Sequence, residues 1–184
     1  MGEDKSVPLF HFSEDPTIAV FAPRPVTVPS LRAPGRDWLN GPLVWAIDEW
    51  RQPLYLFPRE CPRILIWPTA ETTRHDYDKY WGERSNRMKA FAERAWSDAL
   101  HTTSLYRYEF SSAYFEDIHD AGMWVSRYAV CPNSVEQIDS LPAALRNRDV
   151  ELRLVDSLLP LKDIWESSLH ASGIRLRNAA GWTS

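Results

Sequence analysis

Leu9-Phe10-His11-Phe12-Ser13 and, beyond a proline-rich stretch, Val44-Trp45-Ala46-Ile47-Asp48 are two short apolar runs, each closing on a polar side chain. Runs of this length suit buried strands rather than helices, and a polar group at the end of a buried strand is where a fold delivers chemistry to a cleft. Two such strands with a loop between them place the chain among mixed folds, and the elements around them set the class.

Outward from the first run, Ser13-Glu14-Asp15-Pro16 reads as a turn and residues 17–21 as a second apolar run. Residues 22–42 hold five prolines, Pro23, Pro25, Pro29, Pro34 and Pro42, which excludes a long helix or a central strand. Val26, Val28, Leu31, Trp38 and Leu39 in the same stretch make it a loop packed on the body. After the second run Asp48 suits an N-cap and Pro53 the first turn of a short helix. Residues 63–67 form a β-branched strand, and residues 69–82 a loop or frayed helix.

Residues 86–101 carry Met88, Phe91, Ala92, Ala95, Trp96, Ala99 and Leu100 at helical spacing and predict an amphipathic helix. Residues 105–110 and 124–130 alternate as strands, with 135–138 extending the sheet. Ser140 opens a short helix through Leu145, residues 150–154 make a last strand, and Leu158, Leu161, Trp165 and Leu169 mark a final helix ending at Gly173. The pattern predicts one α+β domain over 1–184, with a disordered tail over 1–6.

At 184 residues the chain is long enough to bury a core without staples, and Cys61 and Cys131, each before a proline, read as reduced thiols. The net charge of −4 with interspersed signs argues against a nucleic-acid binder, and Arg24, Arg32 and Arg36 read as solvated loop charges. No apolar run reaches the ~18 residues of a membrane helix, and the charged start is no signal peptide, so a soluble cytoplasmic protein is expected. The chain is tryptophan-rich: nine Trp against seven Gly supply large buried areas.

Among candidate chemical groups, His11 is either a satisfied core residue or a cleft residue, and no second histidine stands at ligand spacing, so no metal site is expected. Ser13, Glu14 and Asp15 are explained by the turn, and Glu116, Asp117 and Asp120 around His119 by a solvent-facing loop. Trp45 either fills volume or lines a pocket for a planar group together with His11.

In order, these segments resemble the ADP-ribosyltransferase-like superfamily. The residues that carry the likeness are Leu9–Ser13, Val44–Asp48 with the aromatic Leu54-Tyr55-Leu56-Phe57, and a third block running from Tyr106 through Phe115 to Met123-Trp124-Val125-Ser126. The whole chain is also similar to a bacterial family from which no activity follows. The superfamily likeness implies two small, mostly antiparallel sheets forming a cleft with flanking helices, and NAD as a possible substrate in it. It implies that His11 holds a ribose with Ser13 supporting it, that Trp45 stacks on nicotinamide, and that Arg107 or Arg127 meets the pyrophosphate. Where transferring members place a glutamate this chain has Met123, which carries no charge; Glu109 or Arg127 would have to replace it. The expectation is a divergent or inactive member of that group that binds NAD or a related nucleotide. The alternative is a non-catalytic ligand- or protein-binding module that recognises its partner through residues 22–42.

Overall fold

The computed structural model describes residues 6–83 and 86–183. The first five residues of the tail expected over 1–6 lie outside those described. The strands are β1 (Pro8–Ser13), β2 (Val44–Asp48), β3 (Arg63–Trp67), β4 (Met88–Glu93), β5 (Leu105–Ser111), β6 (Glu116–Asp120), β7 (Met123–Ser126), β8 (Ser134–Ile138), β9 (Val150–Val155) and β10 (His170–Ile174). Three short α-helices, α1 (Arg74–Asp76), α2 (Ser97–Thr102) and α3 (Leu141–Asn147), accompany several 3-10 turns. The architecture is mixed α+β with two mostly antiparallel sheets. Tertiary contacts divide the chain into two compact units, one taking the described residues up to Gln52 with Leu105–Gln137, the other Pro53–Ser104 with Ile138 onward.

The first unit holds a six-stranded sheet in the order β6-β7-β2-β1-β5-β8. Residues opposite one another on paired strands share a face, so the register sorts the side chains. Leu9 pairs with Asp48 and Phe110, His11 with Tyr108, and Ala46 with Trp124, which sets these residues on one face. That face carries a core of Leu9, Val44, Ala46, Tyr108 and Phe110, closed by Phe21 and Val130, which bridge to each other through paired backbone hydrogen bonds. Phe10 pairs with Ile47 and Glu109, Phe12 with Arg107, Trp45 with Val125 and Ile47 with Met123, which sets these on the other face. There Leu39, Leu43, Ile118 and Val125 form a second core with Trp38, Trp45 and Met123 against it.

Residues 17–21 form no strand; Phe21 alone makes a bridge, to Val130. Residues 22–42 form a loop with one 3-10 turn, Asp37–Asn40; of the apolar residues expected to pack it on the body, Leu39 is buried, whereas Val28 and Leu31 are exposed. Arg24 bridges Leu43, and the Asn40 side chain bonds both backbone groups of Ser30. The acidic segment read as a solvent-facing loop is instead the edge strand β6. Strand β7 stops at Ser126, short of Val130, because the Ser126 hydroxyl turns the chain by accepting from Tyr128 N at 3.3 Å.

The second unit holds β10-β3-β4-β9, in which only β4 and β9 are parallel. Every residue of β3 and β4 is buried. The helix expected over 86–101 is therefore a strand for its first half, and only Ser97–Thr102 is α-helical. A strand covered on both faces loses period-two alternation. Here Lys89 and Glu93 are buried and engaged: Lys89 Nζ donates to the carbonyl of Trp81, the last residue of a helical turn, and Glu93 accepts from Ala180 N at 3.0 Å and Leu158 N at 3.4 Å. The final helix is also replaced, by a 3-10 segment Leu159–Glu166 followed by β10; residues 150–154 are thus not the last strand. Gly173 sits inside β10 because a Cβ there would stand 2.8 Å from the Trp165 ring. Arg63, fully buried, donates to the Leu54 and Cys61 carbonyls at 3.0 Å and lies over the Phe57 ring, and burial lowers its pKa to about 10. Burial pushes the Cys61 thiol up to about 12; both cysteines are free, Cys61 buried and Cys131 exposed.

Candidate functional site

The residues expected to meet in one cleft lie on the two opposite faces of the first unit's sheet. His11 and Ser13 share the face of Leu9 and Tyr108, whereas Trp45 shares the face of Val125 and Phe12. Direct pairing of β1 with β2 covers only Leu9–Asp48 and Phe10–Ile47. Just beyond it the His11 ring takes over: Nδ1 lies 2.8 Å from the Trp45 carbonyl oxygen, and the ring meets Phe21 edge-on at 4.9 Å. Ser13 serves the following turn, its hydroxyl accepting from Asp15 N at 3.1 Å. The Thr17 hydroxyl and backbone N–H hold the Asp15 carboxyl below its ordinary range.

The opposite face carries most of the positive charge near the notable aromatics. The Arg32 guanidinium lies 5.7 Å from the centroid of the Trp45 ring, and that of Arg127, just past β7, lies 4.2 Å from the centroid of Trp38. Arg36 donates to the Ile118 carbonyl at 2.8 Å, and Arg32 reaches Asn40 Oδ1 at 3.4 Å. Arg32 and Arg36 are therefore packed and half-buried rather than solvated. Glu116, 3.8 Å from Arg127, is the acidic residue paired within this group. The Trp45 indole nitrogen is shielded from solvent and has no hydrogen-bond acceptor. Buried donors are nearly always satisfied, so this one marks a place where an oxygen is wanted.

Arg107 is committed elsewhere: it bonds Gln52 at 3.0 Å and Glu136 at 2.5 Å and lies over Phe10. Glu109 shares the face of Met123, in the row Glu109–Phe10–Ile47–Met123. Three strand spacings separate the two ends of that row, about 14 Å. The Glu109 carboxylate therefore does not stand in for the one missing at Met123.

On the His11 face, at the far end of the strands, a cavity of about 340 Å³ is lined by Val7, Asp48, Arg51, Asp117, His119, Trp124 and the β6–β7 turn. Asp48, expected as an N-cap, accepts from Arg51 N at 2.7 Å and forms an ion pair with the Arg51 side chain. Arg51 and His119 were not distinguished by sequence. The signal that reaches this cavity is Ala121-Gly122 between two strand-like runs, a two-residue hairpin turn; both residues have positive φ, 45° and 74°.

The chain is thus an α+β protein whose first sheet carries an arginine–tryptophan surface on one face and a small polar cavity on the other. It belongs to a family of unknown function, DUF6886, whose model matches residues 10–179. No curated protein and no solved structure matches it. Among the described residues, no cluster of three or more His, Cys, Asp or Glu has the geometry to hold a metal, and no helix is long and apolar enough to cross a membrane.

Proposed function

We propose that this protein binds NAD or a related nucleotide on the Trp45 face, as a divergent, non-transferring relative of ADP-ribosyltransferase-like proteins. The observation that carries the reading is the Trp45 indole, with a guanidinium over its ring and an N–H lacking an acceptor. A planar cation over an aromatic ring occupies the position a nicotinamide or adenine would take, and base–aromatic stacking contributes about 1–3 kcal/mol. Arg32, Arg36 and Arg127 against Glu116 leave this surface locally cationic on a chain whose net charge is −4, which favours a pyrophosphate. Binding without transfer follows from Met123, which shares this face, and from the distance of Glu109. His11 and Ser13 drop out of the ligand set, since their side chains lie on the opposite face.

Calorimetry with NAD and ADP-ribose tests this. Saturable binding is expected, weakened by Trp45→Ala by about 1–3 kcal/mol and by Arg127→Ala by about 1 kcal/mol with a shallower salt dependence. Absence of binding by any nucleotide, or equal affinity in Trp45→Ala, overturns it. In that event Leu31, fully exposed on the proline-rich loop, favours the second reading, a protein-contact surface over residues 22–42.

A further inference from the structure

The face of Trp45 on which a base would stack is covered by the chain's own Arg32, whose guanidinium lies 5.7 Å from the ring centroid. No carboxylate pairs with Arg32 among the described residues; its one hydrogen bond there is the long contact of Nε with Asn40 Oδ1 at 3.4 Å. The neighbouring arginines are held more firmly. Arg36 donates to the Ile118 carbonyl at 2.8 Å, and Arg127 pairs with Glu116 while lying over Trp38. Arg32 is thus the charge of this group that leaves its place at least cost.

The chain around Arg32 is built as a strap. Pro29 and Pro34 bound it, and Arg36 N closes a turn on the Ala33 carbonyl at 3.0 Å, with Gly35 at φ 80°. Between these ends the Asn40 side chain is the anchor: its amide donates to the Ser30 carbonyl at 2.9 Å, and its oxygen accepts from Ser30 N at 3.1 Å. Leu31, next to Arg32, is fully exposed, so no buried apolar side chain holds the strap down at that point. Lifting the Arg32 side chain breaks one long hydrogen bond and one cation–ring contact, and leaves the core of Leu39, Leu43, Ile118 and Val125 in place.

We propose that Arg32 is a specificity gate for the Trp45 seat, admitting nucleotides and turning away nucleosides; the proposal rests on the nucleotide reading. A bare base that displaces the guanidinium exchanges one aromatic contact for another of the same order and gains little. A ligand that also carries a pyrophosphate meets the displaced guanidinium, whose planar fork suits phosphate oxygens, and this charge-assisted contact offsets the exchange. Discrimination then comes from a competing group built into the site as well as from contacts with the ligand.

Calorimetry of the intact protein and of Arg32→Ala with adenosine and ADP, which differ only in the phosphates, tests the gate. The parent is expected to bind ADP about a hundredfold more tightly than adenosine. In Arg32→Ala adenosine is expected to tighten about fivefold, as the ring is uncovered, and ADP to weaken about tenfold, as its phosphate partner is lost. In NMR spectra of the parent, the Arg32 Nε–H signal is expected to move out of the Trp45 ring current when ADP saturates the protein. Adenosine affinity that is unchanged or lower in Arg32→Ala, ADP binding that tightens along with it, or an Arg32 signal that ADP leaves in place overturns the gate. Failure of the nucleotide reading looks different: ADP then binds neither the parent nor Arg32→Ala, and the gate falls with it. Where ADP binds the parent and Trp45→Ala weakens it, the reading stands and the adenosine result alone decides the gate.

Discussion

The Trp45 carbonyl sits where direct pairing of β1 with β2 stops, and the His11 ring lies within hydrogen-bond distance of it. A side chain that completes a ladder does structural work, because an unpaired buried backbone carbonyl costs as much as a lost hydrogen bond. His11→Ala is therefore expected to destabilise the protein by about 1–3 kcal/mol in urea unfolding while lowering nucleotide affinity less than Trp45→Ala does. The reverse order of effects would return His11 to the ligand. The sequence made His11 and Trp45 legible as strand residues, and both are. It did not reveal that they face apart, because Val44, Trp45, Ala46 and Ile47 are all apolar, and a strand packed on both faces has no alternation from which to read its phase. The arginines were legible as a group within residues 22–42, but their contact with Trp45 and Ile118 joins positions far apart in sequence.

At the level of elements the largest misreading is β4. Met88, Phe91 and Ala92 fit a helical stripe; in the structure the whole segment is buried, Lys89 and Glu93 included, each with polar partners of its own. Local pattern lost to tertiary cover: long-range pairing of β4 with β3 and with the distant β9 fixes an extended backbone that no window of neighbouring residues encodes. By contrast β3, β5, β8 and α3 fell where expected, since each combines a clear propensity with a turn residue at its end. Glu93 also ties β4 to two segments far along the chain, through Leu158 N and Ala180 N. Glu93→Ala strands those donors, and a loss of about 2–4 kcal/mol is expected in thermal or urea unfolding. Glu93→Gln, which keeps an acceptor oxygen, should recover part of it. Equal stability of Glu93→Ala and the parent would mean that water satisfies both donors.

Over the whole molecule, the chain passes from one compact unit to the other at residues 52–53, 104–105 and 137–138, so neither unit is a continuous piece of sequence. Each sheet takes strands from both halves. In the first, β1 lies between β2 and β5; in the second, β4 lies between β3 and β9. A cut between Ser104 and Leu105 removes one neighbour from β1 and one from β4, exposing the unpaired backbone of what were interior strands. It also removes Tyr108 and Phe110 from the first core. Fragments 1–104 and 105–184 are each expected to lack dispersed NMR signals and a cooperative thermal transition, and an equimolar mixture to regain the far-ultraviolet dichroism of the intact chain in a concentration-dependent way. Cooperative melting by either fragment alone would show that one sheet is stable without the strands the other fragment supplies. That outcome would contradict the strand order, because a two-stranded remnant with one exposed edge on each side is marginal in water.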